Sequence, residues 1–207
     1  MTEQVTPPAV EQNSPQPAPE GRGRFVIPVL GISLGAFAAW FAILALLTLV
    51  AVILIKRQEG PVNEGKRAPQ FTLTTFDNQQ IMPKDMRNKV VVVNFWASWC
   101  KPCEQEAADL EAAWQYYKPR GDVLFLGVDY VDTEPEAKRY LEKFNITYPN
   151  GPDLRTSISQ AFRIIGVPET YVIDQDGYLV HTQIGVFNSV DEIRSVVDPL
   201  LPDEPAP

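Results

Sequence analysis

The chain has 207 residues, an apolar fraction of 45% and a formal net charge of −8. That length allows one domain of ordinary size plus extra segments, and the apolar fraction is normal for a globular protein. The acidic balance argues against a nucleic-acid interface, which needs clustered Lys and Arg, so no nucleic acid is expected as a partner.

Residues 1–24 contain Pro7, Pro8, Pro15, Pro17 and Pro19 and almost no large apolar side chain. Such a segment cannot bury enough surface to offset the entropy of ordering, and it reads as a disordered tail. Residues 25–55 then run for 31 positions without a charge, between Arg24 and Lys56, where about 20 suffice to cross a bilayer. The apolar core of a cleavable signal peptide is only about 7 to 15 residues and ends in small residues, whereas this run ends in Ile55, Lys56 and Arg57. It is expected to be an uncleaved transmembrane anchor with the lipid bilayer as its partner. Arg22 and Arg24 precede it, and Lys56, Arg57, Lys66 and Arg67 follow. That count leans slightly toward a cytoplasmic C-terminal domain, although long domains are translocated largely regardless of flanking charge.

Residues 56–65 read as a linker, residues 66–201 as one α/β domain and residues 202–207 as a frayed end. Val90-Val91-Val92-Val93-Asn94-Phe95-Trp96 is a β-branched run suited to a buried strand. Residues 103–118 place Ala107, Leu110, Ala113, Trp114 and Tyr117 at spacings of three and four, which predicts an amphipathic helix stopped by Pro119 and Gly121. Residues 123–129 predict a second buried strand, and residues 134–144 a second helix with Tyr140, Leu141 and Phe144 inward. Residues 145–153 read as a polar loop and residues 154–163 as a short helix. Residues 170–185 form a hairpin turning at Asp176-Gly177, and residues 189–200 a last helix. This order predicts a central mixed sheet flanked by helices on both faces.

The only two cysteines are Cys100 and Cys103. A disulfide closing so small a loop adds little stability, and one pair with the single histidine, His181, falls short of the usual zinc set. Redox use remains, and no metal or cofactor is expected. The pair falls where a buried strand turns into a helix, so unpaired backbone N–H groups and the helix dipole favour Cys100 as a thiolate nucleophile. Pro102 suits the first helical turn, and Cys103 is placed to resolve the mixed disulfide. Lys101 either adds a favourable positive charge or is simply solvated.

The segment NFWASWCKPC resembles the active site of the thioredoxin superfamily, and Gly166-Val167-Pro168-Glu169-Thr170 resembles its cis-proline loop. The resemblance covers roughly residues 66–200 and implies a thioredoxin-like fold. Thioredoxin has a buried aspartate where this chain has Asn94. Asn94, Glu106 and the Pro168-Glu169-Thr170 sequence instead resemble the membrane-anchored thiol-disulfide oxidoreductases of the TlpA/ResA/DsbE (CcmG) type. This branch implies Glu106 as proton acceptor for Cys103. It places Trp99 as a groove wall, the backbone of Val167 beside Pro168 as a pairing edge for a protein disulfide substrate, and Glu169 as an acidic contribution to the groove. Trp96 is expected in the core, and His181 as a half-exposed strand residue.

The same resemblance implies an extracytoplasmic reductant that keeps the haem-binding cysteines of apocytochrome c reduced and is recharged by a membrane electron donor of the DsbD/CcdA kind. Alternatives are a general extracytoplasmic disulfide oxidase or isomerase, and a non-catalytic thiol-dependent binding module or metallochaperone. A thiol peroxidase is disfavoured because no Pro-x-x-x-Thr-x-x-Cys segment is present.

Overall fold

The computed structural model describes residues 34–57 and 62–202. The expected tail at 1–24, the start of the apolar run at 25–33 and residues 58–61 and 203–207 lie outside the described residues.

The first element is helix α1 (Leu34–Arg57). Its 24 residues span ~36 Å at about 1.5 Å per residue, against a hydrocarbon thickness of about 30 Å. The stretch Phe37–Leu54 has a mean hydropathy of 2.7, and Phe37, Trp40, Phe41, Leu46 and Leu47 are all exposed. The helix is long and apolar enough to cross a membrane. It continues two residues beyond the expected end of the apolar run.

In the remaining body, β1 (Leu73–Thr74) and β2 (Gln80–Ile81) form a small antiparallel hairpin. The main sheet is built on β3 (Val90–Trp96), in which all seven residues are buried. It pairs in parallel with β4 (Val123–Asp129) and antiparallel with β6 (Glu169–Ile173). Outside them lie β5 (Asn150–Pro152) and β7 (Leu179–Ile184), giving the five-stranded order β5-β4-β3-β6-β7. The helices are α2 (Lys101–Tyr117), α3 (Glu134–Lys143), α4 (Ser157–Phe162) and α5 (Val190–Val197).

Successive side chains of a strand point to opposite faces, and β3 uses both. Val90 and Val92 pack with Leu110, Trp114 and Tyr117 of α2 and with Ile193 and Val197 of α5. Val91, Val93 and Phe95 pack with Phe71, Leu73, Ile158 and Phe162 on the other side. The expected sheet covered on both faces is thus formed, and the predicted helices and hairpin are found.

Two expectations are corrected. The stretch 145–153, read as a loop, contains β5. Asn-Gly-Pro has no apolar periodicity to announce a strand. It pairs in parallel with the end of β4, and Gly151, whose Cβ would collide with the Thr74 carbonyl, lets the β1 segment pack closely over it. The second correction concerns residues 62–65, read as linker. The Gly65 N–H donates to Leu179 O (2.7 Å), the Leu179 N–H to Lys66 O (2.8 Å) and the Thr182 N–H to Glu64 Oε1 (2.8 Å). These residues strap the outer edge of β7 and satisfy groups that an uncovered edge strand leaves open.

Gly127 in β4 faces the Asn150 side chain, which accepts from Trp96 Nε1 at 2.8 Å, and a Cβ at 127 would overlap both. Gly127→Ala is therefore expected to destabilise the domain by ~2 kcal/mol through overpacking. Urea unfolding monitored by tryptophan fluorescence checks this.

Candidate functional site

Helix α2 starts one short turn after the carboxyl end of β3, and Cys100 is its N-cap. The Cys103 N–H donates to Cys100 Sγ at 3.1 Å. Pro102 lies in the first turn, where its missing N–H leaves nothing unpaired. Cys100 and Cys103 are joined as a disulfide with their Cα atoms 5.3 Å apart. When that bond opens, the same N–H and the positive end of the helix dipole favour a thiolate at Cys100. Lys101 contributes little to this. Its ammonium lies 3.0 Å from Glu104, whose other oxygen takes Lys143 at 3.1 Å.

The Val167–Pro168 peptide is cis, as expected of the loop. Val167 is half-buried and packs against the cluster containing Cys100, Cys103, Trp96 and Ala97, while Ile165 and Gly166 are exposed. Trp99 is 57% exposed beside the pair, and its Nε1 donates to Val131 O at 3.3 Å. Val131 is a β-branched residue in the left-handed region (φ 47°), a costly conformation. The next residue but one, Thr133, and Ser98 both donate backbone N–H groups to the Asp132 carboxylate, so the 131–133 turn braces the turn that carries Trp99. Trp96 is buried and stacks on Tyr140 at 4.5 Å, a packing residue as expected.

Glu169 is corrected. It is 1% exposed and does not line a groove. Its Oε1 accepts the N–H groups of Ile165 (2.7 Å) and Gly166 (2.8 Å), and its Oε2 accepts the Tyr171 hydroxyl (2.7 Å). Three donors draw the carboxylate inward, where it ties down the exposed part of the cis-proline loop. His181 is half-buried on β7 and stacks on Phe187.

Glu106 sits three residues after Cys103, on the same side of α2, and is 1% exposed. Its Oε1 accepts from Asn94 Nδ2 (2.8 Å) and its Oε2 from the Phe187 N–H (2.9 Å). Burial pushes its pKa from 4.5 up to about 7, and these two donors hold it from going higher. A carboxyl of this kind can take or give a proton near neutral pH.

The sequence did not point to two members of this environment, nor to a third group, a buried polar residue elsewhere in the domain. Thr170 Oγ1 accepts from Asn94 Nδ2 at 2.9 Å, and the Phe187 N–H comes from the loop before α5. The third is Asp129, which ends β4 opposite Trp96 and is 1% exposed. Neither of its oxygens has a hydrogen-bond partner among the described residues. Burial, and then the nearby charge of Asp132, raise its pKa from 3.8 to about 8. An aspartate closing an apolar strand is the only trace of it in the sequence.

The family described as AhpC/TSA matches residues 65–182, more than half of the chain. The chain belongs to that family. It is 34% identical over 121 residues to a thiol-disulfide oxidoreductase ResA of Bacillus cereus, a match covering 58% of this chain and 69% of that one. A thiol:disulfide interchange protein of the thioredoxin family from Chlorobium tepidum TLS superposes with a TM-score of 0.60 at 26% identity, covering 67% of this chain and 97% of that one. A secreted Mycobacterium tuberculosis disulfide oxidoreductase homologous to E. coli DsbE superposes with a TM-score of 0.57 at 23% identity, over 63% and 96% of the two chains, a likeness of fold alone. This AhpC/TSA member has the thioredoxin-like fold and is a thiol-disulfide oxidoreductase similar to ResA.

The raised carboxyl groups have a readable sign. Each binds its proton more tightly when folded, so each contributes stability that is present below its ordinary pKa and lost as pH rises. For Glu106 the loss runs from 4.5 to about 7, and for Asp129 from 3.8 to about 8. Chemical denaturation of the oxidised protein at pH 5 and pH 9 is expected to show lower stability at the higher pH. Asp129→Asn and Glu106→Gln each flatten that slope, and an unchanged slope in both would contradict the burial argument.

Proposed function

We propose that the chain is a membrane-anchored, extracytoplasmic thiol-disulfide reductase, with Cys100 as nucleophile, Cys103 as resolving thiol and Glu106 as the acceptor of the Cys103 proton. The observation that carries the reading is the buried Glu106 carboxyl, one helical turn beyond Cys103 and poised at about 7.

In the reduced enzyme the Cys100 thiolate attacks one sulfur of a substrate disulfide. A Cys100–substrate disulfide forms, and the other substrate sulfur leaves as a thiolate. Cys103 gives its proton to Glu106 and attacks Cys100 Sγ. The mixed disulfide breaks, the second substrate sulfur leaves, and two electrons have passed to the substrate. The Cys100–Cys103 disulfide that remains is the bond seen here. Trp99 and the backbone of Val167 beside Pro168 form the docking edge, and Glu169 holds the loop that presents it.

The substrate assigned is the cysteine pair of apocytochrome c, and the electron donor a membrane protein of the DsbD/CcdA kind. Support comes from the resemblance of Asn94, Glu106 and Pro168-Glu169-Thr170 to the anchored branch, from similarity to ResA and from the apolar helix α1. The anchor comprises residues 25–55, and the catalytic domain lies outside the membrane's cytoplasmic face.

The reductant reading expects a Cys100–Cys103 potential close to the thioredoxin value of about −270 mV, and a value near −120 mV would assign the chain to the oxidases instead. Cys100→Ala is expected to abolish insulin and apocytochrome reduction, while Cys103→Ser accumulates a mixed disulfide with the substrate. Retained turnover in Cys100→Ala would indicate a binding module. A topology reporter fused after Pro207 is expected to read extracytoplasmic.

A further inference from the structure

The Thr170 hydroxyl beneath Glu106 is not explained by packing. Thr170 lies opposite Asn94 in the β3–β6 ladder and is 0% exposed. The Asn94 amide nitrogen donates both to Glu106 Oε1 (2.8 Å) and to Thr170 Oγ1 (2.9 Å). A primary amide has two N–H bonds, so both are committed, one to the carboxyl and one to the hydroxyl. The Glu106 carboxylate selects the nitrogen of the amide, and the second N–H, taken by Thr170 Oγ1, fixes the plane in which that nitrogen is held.

We infer that Thr170 is a positioning residue for the proton step: its hydroxyl orients the Asn94 amide so that an N–H faces the Glu106 carboxylate. The inference rests on the reading of Glu106 as proton acceptor. It also gives two consecutive residues of β6 different tasks, because they point to opposite faces. Glu169 fixes the backbone of Ile165 and Gly166 on the substrate side, and Thr170 fixes the proton acceptor on the α2 side.

Glu106 is met from every side. Asn94 comes from β3 and the Phe187 N–H from the loop before α5, both favouring the carboxylate, while Asp109 on α2 disfavours it. Tyr140 of α3 and Tyr148, just before β5, feel its charge. Thr170 is uncharged, so it acts through the amide alone. Its removal is expected to weaken one of the two donors that favour the charged form, which raises the proton affinity of Glu106.

The test is the pH dependence of release of a reduced peptide disulfide in single turnover, using the full chain in detergent micelles. Thr170→Val keeps the shape of the side chain and removes the oxygen. The midpoint is expected to move up by about one pH unit, and the rate at pH 7 to fall about fivefold. Thr170→Ser restores the parent profile. A Thr170→Val profile superimposable on the parent's overturns the inference. Glu106→Gln separates the two readings. Loss of the inflection there with no effect in Thr170→Val defeats only the role of Thr170, whereas an inflection that survives Glu106→Gln defeats the proton-acceptor reading itself.

A measurement on the parent chain stands independently of any variant's folding. Both side-chain amide proton resonances of Asn94 are expected to titrate with the Glu106 midpoint, and a pair in which neither proton responds overturns the inference.

Discussion

A carboxylate placed inside an apolar core loses its hydration, and unless fixed donors replace it the cost reaches several kcal/mol. Glu106 sits under that constraint, and much of the domain is arranged around it. α2 must begin where it does for Cys103 and Glu106 to share a face. β3 brings Asn94 beneath the helix, β6 brings Thr170 beside Asn94, and the chain before α5 folds back to offer the Phe187 N–H. Two donors are enough to keep the carboxyl inside yet too few to restore the proton affinity of a solvated glutamate. The result is a group balanced near neutrality next to a pair of sulfurs that exchange protons as they exchange electrons.

Shared strands also shape the surface of the site. The Trp96 indole is locked between Tyr140 and Asn150, which requires Gly127 to have no side chain. The turn above it, from Ala97 to Trp99, is held by the Asp132 carboxylate and by the carbonyl of the strained Val131. Across the disulfide, Glu169 pins the cis-proline loop from within. The rims on either side of the sulfurs are thus tied to carboxylates that accept backbone N–H groups, and the exposed side chains that remain there include Trp99, Val131 and Ile165. Such a surface suits an extended segment of another protein better than a small charged substrate.

Both borders of the sheet are closed locally. The short β5 is covered by β1, and β7 is covered by the strap of residues 62–66. Covering both edges removes open pairing positions that would invite unwanted association.

How much of this could be read in advance follows from the range of the interactions. The apolar run, the buried strands 90–96 and 123–129, helix α2 and the hairpin at Asp176-Gly177 are written in local periodicity and turn chemistry, and each was recognisable from its own residues. Cys100, Cys103 and Pro102 were recognisable for the same reason, since an N-cap and a first turn span only a few positions. β5 escaped because Asn-Gly-Pro pairs only by virtue of its neighbours, and the strap of residues 62–65 because its partners lie more than a hundred residues away. Glu169 was misplaced because one sequence symbol serves equally for a solvated and a buried carboxylate. The donors of Glu106 come from Asn94 on β3 and the Phe187 N–H before α5 and meet it only when these parts of the chain are brought together. The sequence by itself determined the elements, the anchor-length helix and the redox pair, all of which depend on short-range pattern. Tertiary structure alone decided which acids are buried and which groups face them, because burial and hydrogen-bond partners are properties of strands and helices brought together from distant parts of the chain.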